Sequence, residues 1–334
     1  MKRRVNFART RCPAYAALAL VWASLFYTPV FCQIFPPDVA AKFNEIVGNR
    51  VEALSILGGD YGISGGFYSV GGDPQRNVDL SLLKMGGGGE FGEKRPLGSL
   101  GISWQPRLLG ALGYLEAKDN FKGGLLGGDE SKYKTLALQV GGGARFWFGD
   151  HLSLAPTIAG MYGHSENSYD ANSQFARTNF EILNRTGLIN WTANTWSVNP
   201  GADLQYEYSW RRTIFTLSST FSYYHTESFD TTTPNLDIVG DSEMWRNKID
   251  VDVPLGLKLL GYELRSGGYF SRTELFGNIQ EGLRADHIYE IHGRLVLDLL
   301  GKFWKFRWLG LGGSYLWGPG FDGWAIGGDV RFQF

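Results

Sequence analysis

Gly323-Trp324-Ala325-Ile326-Gly327-Gly328-Asp329-Val330-Arg331-Phe332-Gln333-Phe334 closes the sequence and decides the fold. Successive side chains of a β-strand point to opposite faces. One face of this strand would carry Trp324, Ile326, Gly328, Val330, Phe332 and Phe334. The other face would carry Ala325, Gly327, Asp329, Arg331 and Gln333. The pattern predicts a strand with an apolar environment on one side and a polar one on the other.

A final strand that ends on an aromatic residue resembles the closing strand of a bacterial outer-membrane β-barrel. In that class of protein the terminal Phe belongs to the signal read by the barrel-insertion machinery. The resemblance implies that Val330, Phe332 and Phe334 form this signal, and that the insertion machinery is a partner during biogenesis.

The other end of the chain, residues 1–32, is typical of a secretory signal. A basic region with five Lys and Arg residues precedes a mostly apolar run from Ala14 to Phe26. Val30 and Cys32 are small enough for the −3 and −1 positions, so we expect Sec-type export and cleavage between Cys32 and Gln33. A lipoprotein signal at Cys32 is the alternative, but Phe31 is bulky for it, and a retained anchor would need a longer apolar run.

Loss of the signal changes the composition of the chain. Both cysteines, Cys12 and Cys32, leave with it, which excludes disulfides, a thiol nucleophile and a Cys-based metal site. The signal holds five of the 32 Lys and Arg and none of the 33 Asp and Glu, so the mature charge is 27 − 33 = −6. An acidic balance gives no support to a nucleic-acid partner, and no motif indicates a cofactor.

Residues 33–57 form a candidate helical segment. Asp38 is a plausible N-cap, and apolar residues from Val39 to Leu54 fall roughly on one face. Two interpretations stay open, a periplasmic lead-in and a helix that enters a barrel and occupies its lumen.

Residues 58–334 alternate between apolar and polar positions, which predicts an all-β chain. No run is long enough for a membrane helix, so a membrane span would have to be a closed antiparallel barrel. The predicted strands number about twelve: Gly58–Val70, Val78–Glu90, Leu97–Ala117, Tyr133–Phe148, Leu152–Ser165, Thr192–Ser209, Thr213–Ser228, Trp245–Lys258, Tyr262–Glu274, His287–Asp298, Phe303–Trp317 and Gly323–Phe334.

Connection lengths favour a transmembrane barrel over a soluble sandwich. Tight turns are predicted at Gly149-Asp150, Trp210–Arg212, Leu259–Gly261 and Leu299–Lys302. Between them lie longer polar connections at Lys118–Lys132, Glu166–Trp191, Phe229–Met244 and Phe276–Asp286. Short turns at one end and long loops at the other are typical of outer-membrane barrels. Aromatic residues near strand ends, including Trp304, Phe306 and Trp308, are predicted to form girdles at the two membrane interfaces.

The layout of signal, short helix, about twelve strands and terminal Phe resembles the translocator barrel of bacterial autotransporters. The segment from Arg50 to Gly62, with Leu112-Gly113-Tyr114-Leu115, is similar to the solitary outer-membrane autotransporter-like β-barrel domain family, a passenger-less relative. The resemblance implies a fold and an outer-membrane location, with no established biochemical activity.

A lipid-cleaving enzyme is the weakest functional class. It would need a Ser beside a His, but His164 and Ser165 are neighbours on one strand and face opposite sides. His225 and His287 are expected with His164 on the outer rim. Loop acids such as Asp73 and Asp79 show no ligand spacing that would single out a calcium site.

The lumen is the main candidate for function. Its predicted charged residues are Arg145, Asp203, Glu207, Lys248, Asp250, Asp252, Glu263, Arg265, Glu290, His292, Arg294, Asp298, Lys305, Arg307, Asp329 and Arg331. One hypothesis is an ion-pair network that leaves no wide passage, in a structural or surface-interaction protein. The other is a small pore for polar solutes whose selectivity these charges set. In both cases we expect a monomer in contact with outer-membrane lipid and lipopolysaccharide.

Overall fold

The fold is a closed antiparallel β-barrel, seen in a computed structural model. The structure describes residues 62–73, 76–99, 101–185, 187, 189–232, 239–303 and 306–332. The predicted signal at 1–32 and the helix predicted within 33–57 lie outside the described residues.

Long strands dominate the described part of the chain. They are β1 (Gly62–Asp73), β2 (Arg76–Glu90), β3 (Arg95–Leu97), β4 (Ile102–Phe121), β5 (Glu130–Phe148), β6 (Leu152–Asp170), β7 (Thr192–Trp210), β8 (Thr213–Thr231), β9 (Val239–Leu259), β10 (Tyr262–Gly277), β11 (His287–Phe303), β12 (Phe306–Gly318) and β13 (Phe321–Phe332). Two α-helices lie in the connections, α1 (Gln174–Arg185) after β6 and α2 (Asn278–Leu283) after β10.

Twelve of the described strands close the barrel, because β1 pairs with both β2 and β13. The short β3 pairs only with β4 and stands outside the ring. Following paired residues from Ile63 through β2 and β4 to β8 reaches Val239 on β9, and the opposite path through β13 to β10 reaches Val253. The offset, 253 − 239 = 14 residues, is the stagger of the barrel. With ordinary strand spacing and rise, it gives a strand tilt of about 40° and a backbone radius of about 12 Å.

The predicted fold class and strand order are confirmed, but several strand ends were wrong. The connections predicted at Lys118–Lys132 and Glu166–Trp191 are shortened, because β4 runs to Phe121, β5 begins at Glu130 and β6 continues to Asp170. Here the pairing continues past the apolar outer band, where polar side chains replace aliphatic ones. The turn predicted at Leu299–Lys302 is also misplaced, since β11 continues to Phe303.

The outer face of the barrel is apolar between two aromatic bands. Leu138, Val140 and Ile158 are at least half exposed in the middle, where lipid would cover them. Near the short turns, Phe148, Tyr206 and Tyr208 point outward, and near the loops Tyr162 and Trp196 do so. These aromatic positions agree with the predicted girdles.

Trp308 is the exception. It is only 6% exposed and pairs with Asp298, which faces the interior. The register shifts between Phe306 and Trp308, so an extra residue reverses the alternation that the sequence pattern assumes. The assignment of Trp308 to an outer girdle was therefore wrong, and Trp304 lies outside the described residues.

The interior consists of two layers. Near the loops, apolar side chains pack across the lumen, among them Tyr68, Leu80, Leu115 and Phe321 from the strands. Nearer the short turns, the inward side chains are mostly charged or polar. We call this buried cluster of apolar side chains the oily layer. It was not predicted, because only polar and charged strand residues were expected to line the interior.

Candidate functional site

The charged half of the lumen surrounds a cavity of about 370 Å³. Residues from most of the strands converge on it because inward side chains alternate with lipid-facing ones. The predicted lumen residues that line it are Asp203, Glu207, Lys248, Asp250, Asp252, His292, Arg294 and Asp329. These residues lie up to 126 positions apart in sequence (329 − 203), and barrel closure brings them together.

Arg145 on β5 is the centre of one polar network. Its Nε donates to Glu90 at 2.7 Å and its Nη2 to Asp203 at 2.9 Å, and Nη1 donates to Ser153 at 2.9 Å and Gln205 at 2.8 Å. The side chain is 8% exposed, and each of its guanidinium nitrogens donates a hydrogen bond. Full pairing is what a buried guanidinium requires. Sequence reasoning did not identify Glu90, which joins the network from a strand 55 residues earlier.

Arg294 on β11 is the centre of a second network. Its two terminal nitrogens donate to the carboxylate of Asp250 at 2.8 and 2.7 Å, a bidentate pair. Arg294 Nη2 also lies 3.8 Å from Asp252 Oδ2, and Nε lies 3.6 Å from Asp329 Oδ2. Its guanidinium lies over the ring of Trp308, with 5.8 Å to the centroid. The second network therefore combines one cation with three acids and an aromatic face.

A glycine makes this arrangement possible. A Cβ at Gly267 on β10 would lie 2.8 Å from Arg294 Nε, so any other residue there would push the guanidinium away from that strand. Behind it, Arg265 donates through Nε to Asp252 and lies 3.9 Å from Glu263. Close approach of backbone and guanidinium is thus built into the sheet.

Glu290 on β11 organises a third group. It accepts hydrogen bonds from Tyr269 at 2.7 Å, Ser314 at 2.7 Å and Arg246 at 2.9 Å. His292 stacks on Tyr269 with 4.6 Å between ring centroids, and its Nδ1 lies 2.8 Å from Ser314 Oγ. Sequence reasoning missed this Ser–His pair, because the residues lie on different strands.

The geometry of this group differs from a Ser–His–acid triad. In a triad the acid holds the His, whereas here Glu290 contacts Ser314 directly and also holds Tyr269 and Arg246. The Ser314 hydroxyl donates to Glu290, so the arrangement secures the hydroxyl rather than activating it.

Of the remaining predicted lumen residues, Asp298 is the one whose side chain is described. Asp298 is 9% exposed and lies opposite Glu263 in the β10–β11 register. Nothing is described of the side chains of Arg307 and Arg331, and Lys305 lies outside the described residues. In the predicted insertion signal, Val330 lies on the same face of β13 as the lipid-facing Ile326. Phe332 ends β13 without a described side chain, and Phe334 is outside the description.

The oily layer lies at the loop end of the interior and includes residues of α2. From α2, Ile279 and Leu283 insert their side chains and are 0% and 4% exposed. Ile279 N donates to Ser242 Oγ on β9 at 3.0 Å, which holds the start of α2 against the barrel wall. α2 therefore adds two buried side chains to the apolar packing at this end of the barrel.

A buried carboxylate holds the longest described connection in place. Asp129 is 2% exposed and accepts hydrogen bonds from Tyr169 Oη at 2.6 Å and from Asn172 N at 2.7 Å. It also accepts from the backbone and hydroxyl of Ser173, immediately before α1. Tyr169 lies at the loop end of β6, beyond the apolar band, and burial followed by the bond to Asp129 raises the pKa of its hydroxyl well above 10.

Among the described residues, no serine is a hydrogen-bond partner of the outer-rim histidines. His164 Nδ1 lies 2.7 Å from Asn194 Oδ1, whereas Ser165 faces inward and contacts Thr135 at 3.0 Å. His225 Nδ1 lies 2.8 Å from Asp241 and its Nε2 3.0 Å from Glu227, and His287 Nδ1 lies 2.7 Å from Asp286. Each rim histidine is paired with an amide or carboxylate instead of a nucleophile.

Within the described ranges, no three His, Asp or Glu side chains come together as metal ligands. Asp79 bonds to Asn77 at 3.0 Å, and the side chain of Asp73 is not described. The helices in this same part of the chain are too short or too polar to cross a membrane.

Comparison with known proteins gives one family and a set of similar folds. Residues 96–327 match the model of the solitary outer membrane autotransporter β-barrel domain. The transport unit of the autotransporter AIDA-I from Escherichia coli matches with a TM-score of 0.55 and 11% identity, covering 86% of this chain and 99% of that one. The translocator domain of the autotransporter NalP from Neisseria meningitidis matches with a TM-score of 0.51 and 13% identity, covering 89% and 98%. No curated protein matches the sequence.

Proposed function

Because the chain belongs to the solitary outer membrane autotransporter β-barrel domain family, we propose that it is a monomeric barrel that presents its loop-end structure at the bacterial surface. Its role is structural or interactive, and it neither exports a passenger nor catalyses a reaction. Its outer face contacts lipid and lipopolysaccharide, and the barrel-insertion machinery assembles it.

One observation carries this proposal, the oily layer across the loop end of the lumen. Ile279 and Leu283 of α2 are fully or almost fully buried there, in the same apolar cluster as strand side chains such as Leu115 and Phe321. A passing polypeptide or solute would have to displace that packing, at about 1.5–3 kcal/mol for each large apolar side chain exposed to water. A closed mouth therefore favours a presenting role over a transporting one.

The ordered connection that contains α1 supports a surface role. The buried carboxylate of Asp129 fixes the start of α1, and α1 leaves Arg177, Glu181 and Ile182 exposed. A pre-ordered helix loses little conformational freedom when a partner binds, which lowers the entropic cost of recognition.

A small pore is the second candidate function, and the charged cavity favours it. Conductance of the purified full-length protein in planar bilayers separates the two. We expect the parent protein to stay silent and the Ile279→Asp/Leu283→Asp variant to conduct, because buried charges expel α2 from the mouth. Leu125→Asp is the control, since Leu125 is 60% exposed and should leave the barrel silent.

Deletion of residues 39–54 tests the other predicted plug in the same assay. Steady single-channel conductance in the parent protein would overturn the closed-barrel proposal and establish the pore.

The absence of catalysis is tested with a lipid-hydrolysis assay on the parent protein and on His164→Ala, His225→Ala and His292→Ala. We expect no turnover in any of them. Turnover that one substitution abolishes would show an enzyme and identify its histidine.

Processing forms part of the proposal. We place signal cleavage between Cys32 and Gln33, so N-terminal sequencing of protein from outer membranes should begin at Gln33. An N-terminal lipid on Cys32 would contradict that assignment. Deletion of Phe334 should lower the amount of inserted barrel if Val330, Phe332 and Phe334 form the insertion signal.

A further inference from the structure

We propose that the charged cavity binds a small neutral ligand rich in hydroxyl groups, such as a monosaccharide, through Arg294 and Asp252. This binding site does not depend on the presenting role, and it concerns the cavity rather than the oily layer or the loops.

Two buried polar atoms beside the cavity have no hydrogen-bond partner among the described residues. They are Nε of Arg294 and Oδ2 of Asp252, on side chains that are 6% and 3% exposed, and both residues line the cavity. Leaving a buried donor or acceptor unpaired costs about 1–3 kcal/mol each, so the pair indicates a missing partner.

Each of the two atoms has an oppositely charged group just beyond hydrogen-bond distance. Arg294 Nη2 is 3.8 Å from Asp252 Oδ2, and Arg294 Nε is 3.6 Å from Asp329 Oδ2. Both separations are just too long for a direct hydrogen bond, so a hydroxyl placed beside either pair could bond to both of its members at once. A group that accepts from Arg294 and donates to a carboxylate oxygen is a hydroxyl, since it carries both functions on one atom.

Local charge favours a neutral ligand. Arg294 forms a bidentate pair with Asp250, and Arg265 donates through Nε to Asp252, while Lys248 and Asp329 add one charge of each sign. The formal charges of these six residues cancel. An ionic ligand would therefore bring an uncompensated charge into a buried site, which is strongly unfavourable.

Shape and chemistry of the walls agree with a sugar ring. Tyr269 and His292 line the cavity and stack on each other with 4.6 Å between ring centroids, so they add aromatic carbon atoms to a wall that also carries the polar groups. A volume of about 370 Å³ is near the lower end of small-molecule pockets. Because the oily layer closes the loop end, the ligand would enter from the short-turn side.

The test is calorimetric titration of the full-length protein in detergent micelles with three sugars that share one ring. Glucose is neutral, glucuronate is an anion and glucosamine is a cation. We expect saturable binding of glucose and at least about ten-fold weaker binding of the two charged sugars.

Matched variants locate the site. Arg294→Lys keeps the charge but removes the unpaired Nε–H, and we expect glucose affinity to fall about ten-fold. Arg145→Lys is the same change at an arginine whose own guanidinium nitrogens all donate hydrogen bonds, and it should stay within about two-fold. Should Arg294→Lys fail to fold on a gel-mobility assay, Asp329→Asn replaces it, because Asp329 is 20% exposed and lies 3.6 Å from the same nitrogen.

Three outcomes would overturn the proposal: no saturable glucose binding, which would mean that water alone fills the gap; equal losses in Arg294→Lys and Arg145→Lys; or tighter binding of glucuronate than of glucose. None of these depends on the bilayer conductance, so failure of this site and failure of the closed barrel are distinguishable.

Discussion

Replacing Arg145 by methionine tests whether ion pairs inside the lumen stabilise the barrel. The substitution keeps the aliphatic length of the side chain and removes four donated hydrogen bonds, to Glu90, Ser153, Gln205 and Asp203. Removing one partner of a buried ion pair costs about 3–5 kcal/mol, because it leaves an unpaired charge.

Two features of the structure make the expected loss of stability smaller than this range. Glu90 and Asp203 are 28% and 20% exposed, so water partly screens them once Arg145 is gone. Arg107 also remains nearby, 3.8 Å from Glu90 and 3.6 Å from Asp203. We therefore expect Arg145→Met to lower the free energy of unfolding by about 2–3 kcal/mol.

The assay is reversible urea unfolding in lipid vesicles, followed by tryptophan fluorescence. Arg272→Met is the control, because Arg272 pairs with Glu274 at 2.6 Å on the outer face, where the side chains are 47% and 29% exposed. An exposed pair contributes about 0–1 kcal/mol. Equal losses in the two variants would refute the argument that burial makes the Arg145 network count.

A double-variant cycle refines the same test. Adding Asp203→Asn to Arg145→Met removes the charge that the first change strands, so we expect part of the lost stability to return. A purely additive loss would show that Asp203 is not the stranded partner.

Three further predictions concern packing and pH. Ile279→Ala should lower the free energy of unfolding by about 2 kcal/mol, since the side chain is 0% exposed in the oily layer. Gly143→Ala should reduce the folded yield on a gel-mobility assay, because its Cβ would lie 2.1 Å from a carbonyl oxygen of β6; Gly160→Ala, with nothing within 4 Å, should fold normally. Because the folded state raises the Tyr169 pKa, the contribution of this proton to stability is present below pH of about 10 and is lost as pH rises through the folded pKa. This contribution begins to fall above a pH of about 10, so the rate at which a protease cleaves the α1 connection should rise as the pH increases beyond it. In Tyr169→Phe the cleavage rate should depend less on pH.

The residues that face lipid could be predicted from the sequence because one local rule, the alternation of side chains along a strand, determines them. Strand side chains alternate, and every outward position within the membrane must be apolar, so Ile158 and Tyr162 could be assigned without knowing their neighbours. Strand ends were less readable, as β6 shows by continuing to Asp170 through polar residues. Hydrogen bonding between strands continues beyond the apolar outer band, so hydrophobicity alone does not mark the strand ends.

Trp308 shows where alternation fails. One extra residue between Phe306 and Trp308 reverses the faces, and nothing in the sequence marks the position of that bulge. The Ser314–His292 pair was missed for a related reason, since no local spacing relates two residues that only strand register brings together.

By itself, the sequence determined an all-β chain of alternating strands with an apolar outer surface, because periodicity and turn residues are local properties. The tertiary structure alone decided the 14-residue stagger, the grouping of Arg145 with Glu90 and of Arg294 with Asp250, and the insertion of α2 into the loop-end mouth. These features depend on which strands close on each other and at what register. Register is set by the sum of many weak cross-strand contacts, and no single stretch of sequence contains that sum.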